Sequence, residues 1–172
     1  MKAVVVYESL WGNTAAVARA IAEGIGPDAR ALSTAEGTPE TMSDADLVVA
    51  GAPILGFNLP TESMRSSIGK DPRHAAQSPP DLSHPSMRAW LGSLPAGHGL
   101  GAAFETRIWW SPGSSARRID ASLTRAGYSR ATAPQRFIVT GAYGPLKDGE
   151  IERARSWGRD LAAAVTPEAS TA

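Results

Sequence analysis

Near the amino terminus the chain reads Ala3-Val4-Val5-Val6-Tyr7-Glu8-Ser9-Leu10-Trp11-Gly12-Asn13-Thr14. Its first part, residues 3–7, is an apolar run with the length and β-branched content of a strand that is buried on both faces. Beyond this stretch, apolar residues recur at helical spacing, at Val17, Ala18, Ile21, Ala22 and Ile25. The sequence therefore predicts a buried strand, a short loop and an amphipathic helix.

The loop between this strand and helix has the composition of an anion site. Ser9 and Thr14 supply hydroxyl groups, Asn13 supplies an amide and Gly12 supplies a flexible backbone, all at the start of the helix. Unpaired N–H groups and the positive end of the helix dipole favour an anion at that place. The loop therefore predicts a bound phosphate group; the alternative is a well-capped turn without a ligand.

Several other functions of α/β proteins are excluded by what the chain lacks. Residues 8–14 contain neither Lys nor spaced glycines, which excludes a nucleoside-triphosphate P-loop and a dinucleotide fingerprint. A phosphoacceptor receiver needs Asp at the end of its third strand, where this chain has Gly51-Ala52-Pro53. No nucleophile elbow surrounds Ser9 or Ser63, which argues against a serine hydrolase.

Composition limits the class of protein further. The chain has 172 residues with 42% hydrophobic content, which suits one domain with a two-sided sheet. It has no Cys, so any redox chemistry needs a bound cofactor. A formal net charge of zero predicts no nucleic-acid partner, and Arg117 and Arg118 are expected on a solvated helix face. Without a targeting segment or a long apolar run, we expect no membrane insertion and a cytoplasmic location.

Strand and helix patterns alternate along the chain, which is typical of an α/β three-layer sandwich with a parallel sheet. Strands are predicted near 3–7, 29–32, 46–51, 99–104 and 137–141. Helices are predicted near 14–25, 86–94, 113–126 and 149–165. Residues 1–165 are therefore expected to form a single domain, followed by a flexible tail at 166–172.

The order of the loops resembles the flavodoxin-like family. The family's phosphate loop, approximately [ST]-x-[TFY]-G-[NQ]-T, is matched by Ser9, Gly12, Asn13 and Thr14, whereas Trp11 lacks the hydroxyl that many flavodoxins have at its position. Residues 46–57 and 100–107 resemble the third and fourth strands with the loops that flank the flavin ring. The resemblance implies a five-stranded parallel sheet of order 2-1-3-4-5, and it is greatest to the stand-alone, actinobacterial-like proteins of high-GC bacteria.

The resemblance also implies the cofactor, FMN, and the residues that bind it. The phosphate loop and the two ring-flanking loops give the predicted cofactor-binding residues, which are Ser9, Leu10, Trp11, Gly12, Asn13, Thr14, Ala52, Pro53, Ile54, Leu55, Gly56, Phe57, Glu105, Thr106, Arg107, Trp109 and Trp110. An isoalloxazine ring needs flat apolar walls, which Phe57 and one of the two adjacent tryptophans can form. The other tryptophan would then pack under the following helix.

These observations predict a flavin redox protein, either an oxidoreductase or an electron carrier, that transfers electrons or hydride to a small-molecule or protein acceptor. Because the flavin carries the reaction, no catalytic side chain is assigned, and the donor and acceptor are not identified by the sequence. His74, His84 and His98 lack the spacing of a metal site and are expected in surface loops. The alternative is a non-redox binding domain with weak or no FMN affinity.

Residues 58–85 form the least regular segment of the sequence. Five prolines, including Pro60 and Pro72, interrupt a short helical pattern near residues 61–68. A loop of this length in a compact domain is usually functional or mobile. We interpret this Pro-rich excursion as a lid or partner surface, or alternatively as a disordered insertion.

Overall fold

The computed structural model describes residues 1–165, so the predicted tail at 166–172 lies outside the described residues. The strands are β1 (Ala3–Tyr7), β2 (Ala29–Ser33), β3 (Leu47–Pro53), β4 (Leu100–Ile108), β5 (Ser129–Arg130) and β6 (Gln135–Val139). The helices are α1 (Asn13–Ile25), α2 (Pro39–Met42), α3 (Glu62–Lys70), α4 (Pro72–Gln77), α5 (Met87–Gly92), α6 (Ser115–Ala126) and α7 (Glu150–Val165).

All strand pairs in the sheet are parallel, and the strand order is β2-β1-β3-β4-β5. The sixth strand, β6, also pairs with β4: β5 lies opposite Leu100 and Gly101, and β6 lies opposite residues 104–108. Two short strands therefore share the edge position where the sequence predicts one. The predicted parallel sheet and the order 2-1-3-4-5 are confirmed, with this one strand added.

Alternating residues of the central strands bury their side chains in two separate cores. Ala3 and Val5 of β1 face the core formed with α1 and α7, whereas Val4 and Val6 face the core formed with α5 and α6. A strand buried in this way on both faces reads as a continuous apolar run. Trp157 of α7 and Trp90 of α5 lie in these two opposite cores, as the three-layer arrangement requires.

Helices α1 and α7 approach each other closely at two glycines. A Cβ atom added to Gly24 would lie 2.0 Å from the carbonyl oxygen of Arg155, and one added to Gly158 would lie 2.3 Å from that of Ile21. Any larger residue at either position would separate the helices. The two glycines therefore fix the position of α1, and with it the loop that precedes α1.

The Pro-rich excursion contains two helices, α3 and α4. Pro72 does not interrupt a helix as predicted but is one of the first residues of α4, after Asp71 as the N-cap. A proline fits there because the first helical N–H has no intrahelical partner. Thr61 caps α3 in the same way, by accepting from the Met64 N–H.

A buried ion pair attaches this excursion to the end of β1. The Glu8 carboxylate is fully buried, accepts a hydrogen bond from the Arg65 guanidinium of α3, and accepts another from the Met87 N–H at 2.8 Å. Arg65 also donates to the carbonyl oxygen of His84. Burial raises the pKa of the Glu8 carboxyl, and both hydrogen-bond donors oppose that rise.

We predict that Arg65→Met destabilises the fold by about 3–5 kcal/mol near neutral pH, because it leaves the Glu8 carboxylate buried and unpaired. The pKa of Glu8 is then raised above its unfolded value, so the protonated carboxyl is favoured in the folded state. Stability is retained below the unfolded pKa and is lost as the pH rises through the folded pKa. The deficit relative to the parent protein should therefore be smaller at pH 5 than at pH 8, as measured by urea unfolding.

Arg73→Met is the matched control, because Arg73 pairs with Asp71 on the surface of the same excursion. This variant should unfold close to the parent protein, since exposed ion pairs contribute little. Equal deficits for Arg65→Met at the two pH values would contradict the assigned role of Glu8.

Candidate functional site

Three loops meet at the carboxyl ends of β1, β3 and β4 and enclose a cleft of about 290 Å³. They are the loop before α1, the loop after β3 and the loop after β4. Eleven of the predicted cofactor-binding residues line this cleft, namely Ser9, Leu10, Trp11, Asn13, Thr14, Pro53, Ile54, Leu55, Gly56, Thr106 and Arg107. The structure thus brings most of the predicted site together.

The loop before α1 presents the beginning of that helix to the cleft. Gly12 is the N-cap residue, with φ 91° in the left-handed region, and no side chain caps the helix. The Ser9 hydroxyl instead accepts a hydrogen bond from the Gly12 N–H at 3.1 Å, which shapes the turn. The first N–H groups of α1 therefore remain available to an anion.

A pair of threonine hydroxyls joins this loop to the end of β4. The hydroxyl oxygens of Thr14 and Thr106 lie 2.7 Å apart, and both side chains are buried. One hydroxyl donates to the other, so the accepting hydroxyl keeps its own proton for a further hydrogen bond. The pair thus adds a donor to the cleft wall without adding a charge.

His84 supports the loop before α1 from the protein interior, although the sequence predicts it in a surface loop. Its side chain is buried, and its Nε2 accepts a hydrogen bond from the Ser9 N–H at 3.2 Å. The prediction that all three histidines lie in surface loops is therefore wrong for His84. Histidine spacing carries no sign of this contact, since the excursion must first fold back onto β1.

An aromatic cluster, which the sequence does not predict, lies at the edge of the cleft. Trp11, His74 and Tyr143 have ring centroids 5.3–5.5 Å apart, and the Tyr143 hydroxyl lies 2.5 Å from His74 Nδ1. The Trp11 indole N–H donates to the carbonyl oxygen of Ser78 at 2.9 Å. Trp11 therefore attaches the C-cap of α4, Ser78, to the loop before α1.

The loop after β3 turns sharply beside the cleft. Leu55 and Asn58 exchange backbone hydrogen bonds, and the two residues between them, Gly56 and Phe57, both have positive φ, at 50° and 77°. Positive φ is uncommon for a bulky residue and costs about 1–3 kcal/mol. Phe57 is 66% exposed and Ala52 is completely buried, and neither residue lines the cleft.

The loop after β4 divides its predicted residues between the cleft, the interior and the surface. Glu105 is fully buried, and its carboxylate accepts from Arg107 Nη1 at 2.9 Å, the Ser114 hydroxyl at 2.7 Å and the Ala116 N–H at 2.9 Å. Glu105 therefore fixes the loop and the start of α6. Trp109 and Trp110 are 76% and 62% exposed and do not line the cleft, so the prediction that one of them packs under the following helix is wrong.

The described part of the chain contains neither a metal centre nor a membrane-spanning helix. Among residues 1–165, no group of three or more His, Asp or Glu side chains could hold a metal ion. Over the same residues, no helix is long and apolar enough to cross a membrane. Arg117 and Arg118 lie exposed on α6, as predicted.

The chain is similar in structure to several solved flavodoxin-fold proteins. A flavodoxin from the domain Archaea aligns with 24% identity and a TM-score of 0.66, over 96% of this chain and 99% of that one. Flavodoxin 1 from Bacillus cereus aligns with 16% identity and a TM-score of 0.62, over 94% and 97%. A flavodiiron core from Synechocystis aligns with 20% identity and a TM-score of 0.63; this chain covers 36% of its length.

The fold is therefore flavodoxin-like. The chain matches no protein-family model and no curated protein sequence.

We predict that Gly12→Ala destabilises the protein by about 1–2 kcal/mol, because a Cβ at φ 91° is strained even though no atom lies within 4 Å of it. Gly92→Ala is the control, since that position at the end of α5 is equally open but has no positive φ. It should be neutral or slightly stabilising in chemical unfolding. Equal effects of the two substitutions would contradict the assigned turn geometry.

Proposed function

We propose that this chain is an FMN-binding redox protein that uses the cleft at the carboxyl edge of its sheet. The observation that carries the proposal is the uncapped N-terminus of α1, which opens into the cleft beside the Thr14–Thr106 hydroxyl pair. A phosphate group at this place would accept hydrogen bonds from backbone N–H groups, from the hydroxyl pair and from Asn13.

The donor set fits a phosphate ester better than it fits a free polyphosphate. No Lys or Arg lies in the loop at residues 9–14, and Arg107, which lines the cleft, donates through one nitrogen to Glu105 and to the carbonyl oxygen of Gly113. Binding therefore relies on neutral donors and the helix dipole. Such a site suits a single phosphate group that is attached to a larger apolar body.

The walls of the cleft fit such a body. Pro53, Ile54, Leu55, Ile108 and Val139 line the cleft, so it offers apolar surface to a flat ring. Phe57 and one of Trp109 and Trp110 are proposed to cover the ring from outside. A bound flavin would supply the electron-transfer or hydride-transfer chemistry, and the protein would orient it.

The residues around the ring would leave it in a nearly neutral environment. Glu105 is the acidic residue among those predicted to flank the ring. Its carboxylate is paired with Arg107 and lies 3.9 Å from the Arg136 guanidinium group. The carboxylate at the end of β1, Glu8, is paired with Arg65. Neither carboxylate presents an uncompensated negative charge to the cleft, which favours accumulation of electrons on the ring.

The likeness to flavodoxins over nearly the whole chain supports an electron carrier or oxidoreductase, with a small-molecule or protein acceptor. A cytoplasmic location and an origin among high-GC bacteria remain predictions from the sequence. A non-redox binding domain is the second candidate, because Trp11 replaces a phosphate-binding hydroxyl and ties α4 to the loop. Absorption spectra of the purified protein, before and after FMN is added, would separate the two candidates.

We predict that FMN binds more tightly than riboflavin, and that Thr14→Val weakens FMN by about tenfold while it leaves riboflavin nearly unchanged. Flavin-fluorescence titration measures both affinities. Thr106→Val is the comparison, because it breaks the hydroxyl pair but leaves the Thr14 hydroxyl free to donate to the phosphate, so it should discriminate less between the two flavins. Equal affinities of the parent protein for FMN and riboflavin would refute the phosphate assignment.

We predict that bound flavin is quenched by one of the two exposed tryptophans. Replacing the contacting residue, Trp109 or Trp110, by Ala should recover flavin emission and reduce affinity, since aromatic stacking would be lost. Trp90→Phe, in the core on the α5 side of the sheet, is the control and should leave the emission unchanged. Unchanged emission and affinity in both single variants and the double variant would remove these tryptophans from the site.

A further inference from the structure

A second pocket lies between α5 and α6 and has a volume of about 370 Å³. The leucines Leu59, Leu91 and Leu94 line its apolar part. Three arginines line it as well: Arg88 projects from α5, and Arg118 and Arg125 project from α6, seven residues apart and therefore on one face of that helix. The pocket thus combines an apolar wall with a cationic rim.

The three guanidinium groups have no carboxylate partner within the described residues. The Arg88 guanidinium donates to the carbonyl oxygens of Leu59 and Pro60, and the guanidinium groups of Arg118 and Arg125 make no hydrogen bond or ion pair with residues 1–165. No Asp or Glu is among the residues that line the pocket. The positive charge at this pocket is therefore not compensated by nearby side chains.

The arginines of this pocket differ in their surroundings from most other arginines of the described chain. Most of the other arginines contact a carboxylate, namely Arg65, Arg73, Arg107, Arg130, Arg136, Arg153, Arg155 and Arg159. Like charges around one concave pocket repel each other, and an anion placed between them removes that repulsion. A guanidinium group also matches a carboxylate in shape, through two parallel hydrogen bonds.

We propose that this pocket binds a small amphipathic carboxylate, with its charged group between the arginines and its apolar body against the leucines. The volume lies in the range of small-molecule sites, which combine apolar walls with a few polar groups. Leu59 is almost fully buried and gives the pocket a fixed apolar floor. Neither a fully polar anion nor a neutral apolar compound would satisfy both parts of the pocket.

The test uses octanoate as the probe, with acetate, octanol and inorganic phosphate as comparison ligands, in isothermal titration calorimetry at low ionic strength. Octanoate should bind at least about tenfold more tightly than any of the other three, because only octanoate carries both features. The double variant R118Q/R125Q should lose at least about tenfold in octanoate affinity.

Arg117→Gln is the matched control. Arg117 precedes Arg118 on α6, is also exposed and lacks a carboxylate partner among residues 1–165, but does not line the pocket. This variant removes the same type of charge and should bind octanoate as the parent protein does. Thermal unfolding without ligand checks the fold: R118Q/R125Q should melt no lower than the parent protein, since the substitutions relieve repulsion.

Four outcomes would overturn the proposal. Octanoate binding that is unchanged in R118Q/R125Q would show that these arginines do not bind the carboxylate. An equal loss of affinity in R117Q would show that any positive charge on this surface has the same effect. Octanol binding as tightly as octanoate would indicate a purely apolar pocket. Phosphate binding as tightly as octanoate would indicate a simple anion site.

Discussion

The central constraint on this molecule is that β1 is hydrogen-bonded on both edges and buried on both faces. Its neighbours β2 and β3 lie on opposite edges of β1 and run parallel to it. The chain therefore leaves β1 at the carboxyl edge of the sheet, at the point where the strand order reverses direction. The loop at residues 8–14 lies at that point, and the cleft forms where it meets the loops after β3 and β4. The location of the site follows from the topology, and its chemistry follows from the loop.

Contacts that are local in sequence could be predicted, and contacts between distant segments could not. Hydrophobic periodicity locates α1, α5, α6 and α7 and the central strands, and Ser9, Gly12 and Asn13 mark the loop before α1. The two-residue strand β5 is too short to leave a periodic signal. The contact of His84 with Ser9 and the cluster of Trp11 with His74 and Tyr143 depend on how the excursion folds back, which no local pattern records.

Two buried carboxylates organise the surroundings of the cleft without entering it. Glu8 joins β1 to α3 and to the start of α5, and Glu105 joins β4 to the start of α6. Each carboxylate is paired with an arginine, so each connects segments that are far apart in sequence while the local charge stays balanced. Removing either acid would affect the cleft through the loops it holds, although neither acid lines the cleft.

The glycine contact between α1 and α7 has a consequence for the order in which the molecule can be assembled during synthesis. Val17, Ala18 and Ile21 of α1 are buried in a core that Ala154, Trp157 and Leu161 of α7 complete. Until the ribosome has released α7, that face of α1 is exposed to water, and the loop before α1 lacks its support. A nascent chain therefore carries the sequence of the loop at residues 8–14 long before that loop is held in place.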